Sequence, residues 1–275
     1  MKNVVKDYSR AVFCLLFGMM ISAFATSPEE QSSDVNAGQP SPKLVVLKFD
    51  DVLTGRAGQV VSQRWQRVAD YLEGKKIKSA MGVIGYSLVT DNPVYFKWIT
   101  DRTTPCGYIE FWNHGFHPRS AEDPDGEFER SFAEQMYSFR MTDSLAYAKM
   151  GLQIPVWGPH WSSSNEATDR ALAQLPQIRM TFSYPPDAVH YKGFVFKNGI
   201  DFEHPTHNPD FEAFRKTYLE KSKDWDCFFL QGHPESWDET RWENFVKVIE
   251  YLEKEGVQFV TPTELYVILK GRGNI

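Results

Sequence analysis

The sequence is poor in cysteine and has no block of clustered basic residues. It holds three cysteines in 275 residues, and Asp and Glu outnumber Lys and Arg, which gives a formal charge of -6 at neutral pH. Two phosphate-binding loop patterns, GxGxxG and GxxxxGK, are both absent. The acidic balance argues against a nucleic-acid partner, and the missing loops leave nucleotide binding without support.

An uncharged apolar stretch near the N-terminus is short for a transmembrane helix. Lys2, Lys6 and Arg10 precede this stretch, residues 11–25, which ends in Ala23-Phe24-Ala25. That order is typical of a cleaved signal peptide over residues 1–25, so we expect a secreted or periplasmic protein with no stable membrane insertion after cleavage. A retained membrane anchor is the alternative. Residues 26–43 are rich in Ser, Pro, Glu and Gln and are predicted to form a disordered linker.

Two cysteines remain once the signal peptide is removed. An oxidising compartment permits a bridge between Cys106 and Cys227. Both lie in strand-like runs, however, where buried free thiols are equally compatible with the sequence. The pairing is therefore left open.

The folded part of the chain is predicted to span residues 44–275. It begins with Leu44-Val45-Val46-Leu47-Lys48-Phe49, a run typical of a strand that is buried on both faces. Apolar strands then alternate with amphipathic helices to the end of the chain, which indicates βα units around a parallel sheet. About seven or eight such units favour a closed or nearly closed barrel of α/β class.

Two adjacent carboxylates, Asp50 and Asp51, end the first strand. Neighbouring residues of a strand point to opposite faces, so both can serve one site only where the backbone turns. One carboxylate would then ligate a cation while the other stays free as a base. A solvated Asp-Asp turn is the alternative.

Two imidazoles, His114 and His117, follow the strand that ends at Trp112. With Asp51 they make a set of two histidines and one carboxylate, which leaves coordination positions open for water and substrate. Glu110 and Asn113 are candidates for orienting these ligands. A turn with hydrogen-bonded surface histidines is the alternative.

A third cluster, Gly232-His233-Pro234, follows the strand-like run that starts at Cys227. A histidine held by a following proline at a strand end suits proton transfer to a leaving group. A structural histidine in a turn is the alternative.

Three motifs together resemble those of the NodB-type polysaccharide deacetylases, which are metal-dependent carbohydrate esterases. In the family's order they are Lys48-Phe49-Asp50-Asp51, Asn113-His114-Gly115-Phe116-His117-Pro118 and Leu230-Gln231-Gly232-His233-Pro234. The resemblance covers residues 44–269. It implies an α/β fold, a distorted (β/α) barrel with about seven parallel strands. It also implies an enzyme that removes N- or O-linked acetyl groups from a carbohydrate.

The resemblance also implies a role for each matching residue. Asp51, His114 and His117 match the metal ligands, Asp50 matches the catalytic base, and His233 matches the catalytic acid. The expected metal is zinc, with cobalt or nickel as alternatives. The substrate partner would be an acetylated carbohydrate, while the polymer and the oligomeric state stay unspecified.

The chain departs from the family pattern in three places. Its two histidines are three residues apart, whereas the family has them four apart with a hydroxyl residue after the first. The third motif's Arg-x-Pro reads Trp157-Gly158-Pro159, so the arginine beside the base is missing, and His160 is a candidate substitute. The fourth motif's Asp and Trp, which support the acid histidine, have no match.

Two other functions compete with acetyl hydrolysis. A degenerate member of the fold would bind carbohydrate without hydrolysing it, and the missing arginine favours this hypothesis. A glycosidase would need two carboxylates across a cleft, whereas Asp50 and Asp51 are adjacent, so it is the weakest of the three.

Overall fold

The computed structural model describes residues 41–55, 59–117, 126–160, 163–182 and 189–275. The predicted signal peptide, residues 1–25, and the linker up to residue 40 lie outside these ranges, as does Pro118. Residues 42–275 form one compact unit. Among the helices that the structure describes, none is long and apolar enough to cross a bilayer.

Within the described ranges, one sheet of nine strands carries the fold, and all of its strand pairs are parallel. The strands are β1 (Leu44–Val52), β2 (Ser79–Val83), β3 (Ile109–Asn113), β4 (Val156–Trp157), β5 (Met180–Phe182), β6 (Phe194–Phe196), β7 (Gly199–Asp201), β8 (Cys227–Gly232) and β9 (Gln258–Phe259). Their spatial order is β6-β5-β4-β3-β2-β1-β8-β7, and β9 pairs with the start of β1. The path is that of a half-barrel of parallel strands.

Helices connect the strands, as expected for βα units. They are α1 (Gln63–Gly74), α2 (Pro93–Arg102), α3 (Phe132–Met150), α4 (Glu166–Leu172), α5 (Phe211–Lys221), α6 (Glu239–Lys254) and α7 (Pro262–Gly271). The spacing of apolar residues predicts a first helix from Gln59, but α1 begins after Ser62, whose hydroxyl accepts from the Trp65 N–H at 3.4 Å. This N-cap fixes the start of the helix.

The predicted (β/α) barrel of parallel strands is confirmed as a fold class. β1 is buried along its length from Leu44 to Asp50, which explains its continuous apolar run. The sheet has more strands than the predicted seven or so because it includes very short ones. β4 and β9 have two residues each, and β7 (Gly199–Asp201) is too short to show an alternating pattern.

Cys227, the first residue of β8, is not in a disulfide. Cys227 carries a free thiol, so the Cys106–Cys227 disulfide left open by the sequence is not formed. Burial raises the pKa of the Cys227 thiol, and the charge of Asp226 raises it further. Cys227 is therefore a protonated, partly buried residue of the sheet.

Candidate metal and catalytic site

Polar side chains converge at the carboxyl edge of the sheet. Each follows or ends a strand: Asp50 and Asp51 on β1, His114 after β3, His160 after β4, Glu203 after β7 and His233 after β8. Because all of these strands are parallel, their carboxyl ends meet at one edge. That edge is where α/β folds of this kind carry their sites.

A local turn at the end of β1 brings both carboxylates into the site. The pairing of β1 with β2 shifts register between Phe49 and Val52, and Asp51 has a φ of 74°. A left-handed backbone is strained for a non-glycine residue and concentrates at functional sites. As a result His114 Nε2 lies 3.7 Å from Asp50 Oδ2 and 3.3 Å from Asp51 Oδ1.

Three side chains form a cluster of metal-ligand type at this edge. The ligand atoms of Asp51, His114 and His160 all lie within 4.8 Å of one another. His160 Nδ1 is 3.5 Å from Asp51 Oδ1, and the rings of His114 and His160 have centroids 4.1 Å apart. The cluster contains two imidazoles and one carboxylate, as the sequence predicts, but one imidazole is a different residue.

His117, the third ligand predicted from the sequence, is not a member of this cluster. Its side chain is exposed, and its ring packs beside those of Phe116 and Tyr86. The backbone N–H groups of Phe116 and His117 both donate to the buried carboxylate of Glu127, at 3.0 and 3.2 Å. The chain therefore turns away after His114, and His160 fills the place expected for His117.

The orientation of His114 is fixed by its other ring nitrogen. His114 Nδ1 lies 2.8 Å from the carbonyl oxygen of Gly158, which can only accept, so Nδ1 carries the proton and Nε2 faces Asp51. Asn113 helps to shape the turn, since its Oδ1 accepts from the Gly115 N–H at 2.9 Å. Glu110, the other residue expected to orient the ligands, instead accepts from the backbone and hydroxyl of Thr263 and anchors α7.

The electrostatics of the cluster suit a cation. Burial alone would raise the pKa of Asp51, but His114 and His160 hold that pKa well below its usual value. Burial, together with the nearby His114, lowers the pKa of His160 to about 4, so its imidazole is neutral at pH 7. The Asp51 side chain is 39% exposed, whereas His114 is 2% exposed. A neutral His160 imidazole, an ionised Asp51 carboxylate and an open side fit a divalent metal with room for water.

A buried ion pair holds the second carboxylate. Lys48 Nζ donates to both oxygens of Asp50, at 2.6 and 2.7 Å, and both side chains are 4% exposed. The ammonium also lies over the Trp112 ring, 5.0 Å from its centroid. Lys48 thus supplies a cation beside Asp50 although the third-motif arginine is missing.

His233 stands on the other side of Asp50 and is held by a carboxylate. Its Nε2 lies 3.8 Å from Asp50 Oδ2, and its Nδ1 is 2.7 Å from Glu203 Oε2. Glu203 also accepts from the backbone N–H of His233 and from Trp237 Nε1, both at 2.8 Å. Glu203 and Trp237 are therefore an acidic residue and a tryptophan that support the histidine, although the sequence offered no match for such a pair.

Charges around His233 favour its protonated form. Burial lowers its pKa, but the hydrogen bond to Glu203 and the charge of Asp50 outweigh burial, so the pKa of His233 lies above its usual value. Burial likewise raises the pKa of Glu203, and His233 reverses this effect, so that the Glu203 pKa is lowered. Each member of the pair thus favours the charged form of the other.

Three of these residues were missed or misjudged from the sequence, for different reasons. The position of Lys48 beside Asp50 could have been predicted from the sequence. Residues two apart on a strand share a face, and Lys48 precedes Asp50 by two. His160 also follows a strand, but β4 is only two residues long. Glu203 follows β7, a strand of three residues without a pattern of apolar side chains that would predict it.

Comparison with known proteins shows similarity in structure and none in sequence. No protein-family model and no curated protein matches the chain. Its structural neighbours are carbohydrate esterases of the CE4 family, the polysaccharide deacetylases of NodB type. At identities below 20% these matches establish the fold.

Three solved structures illustrate the match. The family 4 acetyl xylan esterase of Clostridium thermocellum, in complex with a cobalt ion, has a TM-score of 0.57 and 19% identity over 82% of this chain and 91% of that one. The Xyl-CE4 domain of a multidomain xylanase from the hindgut metagenome of Trinervitermes trinervoides has a TM-score of 0.56 and 18% identity over 84% and 92%. A CE4 family pseudoenzyme from Bacillus anthracis has a TM-score of 0.57 and 16% identity over 83% and 67%.

Proposed function

We propose that this protein is a metal-dependent hydrolase that removes acetyl groups, N- or O-linked, from a carbohydrate polymer or oligosaccharide. The observation that carries the proposal is the position of Asp50. Its Oδ2 lies 3.7 Å from Nε2 of His114, a member of the metal-ligand cluster, and 3.8 Å from Nε2 of the Glu203-supported His233. A base close to both a cation site and a proton donor suits acyl hydrolysis by water.

Asp51, His114 and His160 would hold the cation. Imidazole nitrogen and carboxylate oxygen suit zinc, with cobalt or nickel as alternatives. A divalent metal held by these residues would supply Lewis-acid chemistry, lowering the pKa of water toward about 7 and polarising an acyl carbonyl. The contribution of the protein is to keep the His160 imidazole neutral and the Asp51 carboxylate ionised, with the Asp51 side open to solvent.

Asp50 acts as the base in this proposal. Its carboxylate accepts a proton from the attacking water as the water oxygen bonds to the acyl carbon. Lys48 stabilises the ionised carboxylate and, with 4% exposure on both side chains, fixes its position.

His233 acts as the acid. It donates a proton to the amine or alkoxide oxygen of the sugar as the bond to the acyl carbon breaks, which yields acetate and the deacetylated sugar. Glu203 keeps the ring oriented with Nε2 toward Asp50 and favours the protonated state. The proton taken by Asp50 can then restore His233 for the next turnover.

Carbohydrate binding without hydrolysis is the second candidate function. Both oxygens of Asp50 are engaged by Lys48, which is a strong restraint on a base. The two candidates differ in a single observable, because a binding protein would retain the metal and release no acetate.

The test is acetate release from acetylated chitin, peptidoglycan and xylan oligomers. Metal-stripped protein is compared with protein resupplied with zinc or cobalt, and Asp50→Asn serves as the control. The proposal expects metal-dependent release that the substitution reduces by about 100-fold or more. Stoichiometric metal without release from any of the three would instead favour the binding function.

We also propose that the protein is exported. The support is the order of basic, apolar and small residues over residues 1–25. Mass spectrometry of the protein recovered from its native host tests this, with a mature N-terminus after Ala25 expected and an intact N-terminus contradicting it.

A further inference from the structure

An aromatic surface on α3 and on the segments that follow β2 and β3 has no role in the chemistry proposed above. We define the aromatic shelf as Tyr86, His117 and Tyr137. Tyr86 and Tyr137 are 53% and 54% exposed, and His117 is exposed as well. Phe116 is buried beneath them, with ring centroids 6.1 Å from Tyr86, 4.5 Å from His117 and 5.9 Å from Tyr137. One buried ring thus supports three exposed rings.

The aromatic shelf is fastened to the loop that delivers His114. The backbone N–H groups of Gly85 and Tyr86 donate to the carbonyls of Gly115 and Phe116, at 2.8 and 2.7 Å. These bonds tie the segment after β2 to the segment after β3. Tyr86 and His117 therefore have fixed positions relative to His114, which precedes His117 by three residues.

A buried carboxylate holds the same loop from below. Glu127 accepts from the N–H groups of Phe116 and His117 and from the Ser138 hydroxyl. Burial raises the pKa of Glu127, which reflects the free-energy cost of an ionised group at this position. Its hydrogen bonds hold the His117 ring at the surface, where it packs only beside other aromatic rings among the contacts described.

The rings of the aromatic shelf suit an uncharged ligand with an apolar face. Tyrosine and histidine combine an apolar ring with a polar edge, the combination that packs on a sugar face while bonding its hydroxyls. Burial, with the charge of Arg130, lowers the pKa of His117, so the ring is neutral at pH 7. A neutral pyranose fits this surface better than a charged group does.

We propose that the aromatic shelf binds a neutral pyranose ring of the acetylated carbohydrate, next to the sugar whose acetyl group is cleaved. This inference rests on the proposed function for the identity of the ligand, and on continuity with the loop of His114 for its place. It assigns His117, which the sequence suggested as a metal ligand, to carbohydrate binding.

The experiment measures binding in the catalytically impaired Asp50→Asn protein, so that no substrate is consumed. Titration calorimetry with the tetramers of N-acetylglucosamine and of acetylated xylose gives the affinity of this parent and of Tyr86→Ala, His117→Ala and Tyr137→Ala made in it. Tyr147→Ala is the matched control, since Tyr147 is 64% exposed and lies on the same helix as Tyr137, about 15 Å further along its axis.

We expect each of the three alanine substitutions to weaken tetramer binding by about fivefold to tenfold. Tyr86→Phe, which keeps the ring, and Tyr147→Ala should stay within about twofold of the parent. Circular dichroism confirms that each variant is folded. Equal affinities for Tyr86→Ala, Tyr137→Ala and Tyr147→Ala would overturn the inference, as would a parent that binds neither tetramer at millimolar concentration.

A second readout separates the role of His117 from metal binding. The zinc content of His117→Ala, measured after dialysis, should equal that of the parent, and loss of zinc would return His117 to the ligand set. The proposed hydrolysis fails on a different result, the absence of acetate release by the unsubstituted protein. Tetramer binding by Asp50→Asn does not depend on that outcome.

Discussion

Lys48 donates to both carboxylate oxygens of Asp50, at 2.6 and 2.7 Å, and the two side chains are each 4% exposed. In the family that the sequence resembles, the third motif supplies an arginine beside the base, whereas here that motif reads Trp157-Gly158-Pro159. Here the cation comes from the same strand, two residues earlier, so the ion pair is formed within β1. A carboxylate in such a buried environment needs a partner charge, and Lys48 provides it.

Replacing Lys48 with methionine should impair both stability and catalysis. The substitution leaves Asp50 buried without its cation, which should cost about 3 kcal/mol in free energy of unfolding and reduce kcat by about 100-fold. Urea unfolding and steady-state kinetics measure the two effects. Lys48→Arg keeps the charge and should retain more activity than Lys48→Met.

A double substitution distinguishes a charge effect from a packing effect. In Lys48→Met with Asp50→Asn both charges are gone, so the double variant should be more stable than Lys48→Met alone. If Lys48→Met keeps full kcat, the lysine has only a structural role.

Glu203 should set the alkaline limit of activity through His233. Replacing Glu203 with glutamine removes the charge that raises the pKa of His233, so the alkaline limb of the kcat profile should move to lower pH. Glu203→Asp keeps the charge and should shift the alkaline limb less than Glu203→Gln does. An unshifted limb in Glu203→Gln would show that another group provides the proton.

The raised pKa of His233 also makes the stability of the fold depend on pH. Because the pKa of His233 is higher in the folded chain than its usual value of 6.5, protonation of His233 stabilises the fold fully at pH values below 6.5. This contribution is lost as the pH rises through the folded-state pKa. Glu203→Gln should therefore reduce the free energy of unfolding more at pH 6 than at pH 9, as measured by urea denaturation.

Gly115 is expected to tolerate no side chain. Its φ is +87°, and a Cβ there would lie 2.3 Å from Glu127 Oε2 and 3.2 Å from the His160 ring. Gly115→Ala should destabilise the fold by about 2 to 4 kcal/mol, from backbone strain and the clash together. Gly151 is the matched control, because its φ is +68° and a Cβ there would meet nothing within 4 Å.

Gly151→Ala should therefore show the strain alone, about 1 kcal/mol. Urea denaturation of both variants gives the difference that belongs to the contact with Glu127. Equal losses in the two variants would mean that Glu127 yields to the new methyl group and does not fix the loop.

The fold could be predicted from the sequence because its physical cause is local. A strand buried on both faces must be continuously apolar, and β1 is, while helices such as α3 carry their own N-cap and end at Gly151, which has a left-handed backbone. The carboxyl-edge position of Asp50, Asp51 and His233 follows from the same patterns. Each of these residues directly ends or follows a strand that the sequence reveals.

The ligand set could be predicted only in part, because it depends on contacts that are distant in sequence. His114 and His117 look like a pair along the chain, but Glu127 binds the backbone of His117 and turns its ring outward. No sequence pattern near His117 predicts this contact with Glu127. His160 reaches Asp51 only because β4 lies next to β3 in the sheet, an adjacency that a two-residue strand does not reveal.

The most direct test of the account is the metal content and activity of the protein when His160 is replaced. After dialysis against dilute zinc, the unsubstituted protein should hold one zinc per chain and release acetate from an acetylated oligosaccharide. His160→Ala should lose both, with zinc affinity reduced by more than about 100-fold, while His117→Ala should keep its zinc. Zinc retained by His160→Ala and lost from His117→Ala would contradict the account, because the metal would then be bound by a different set of residues.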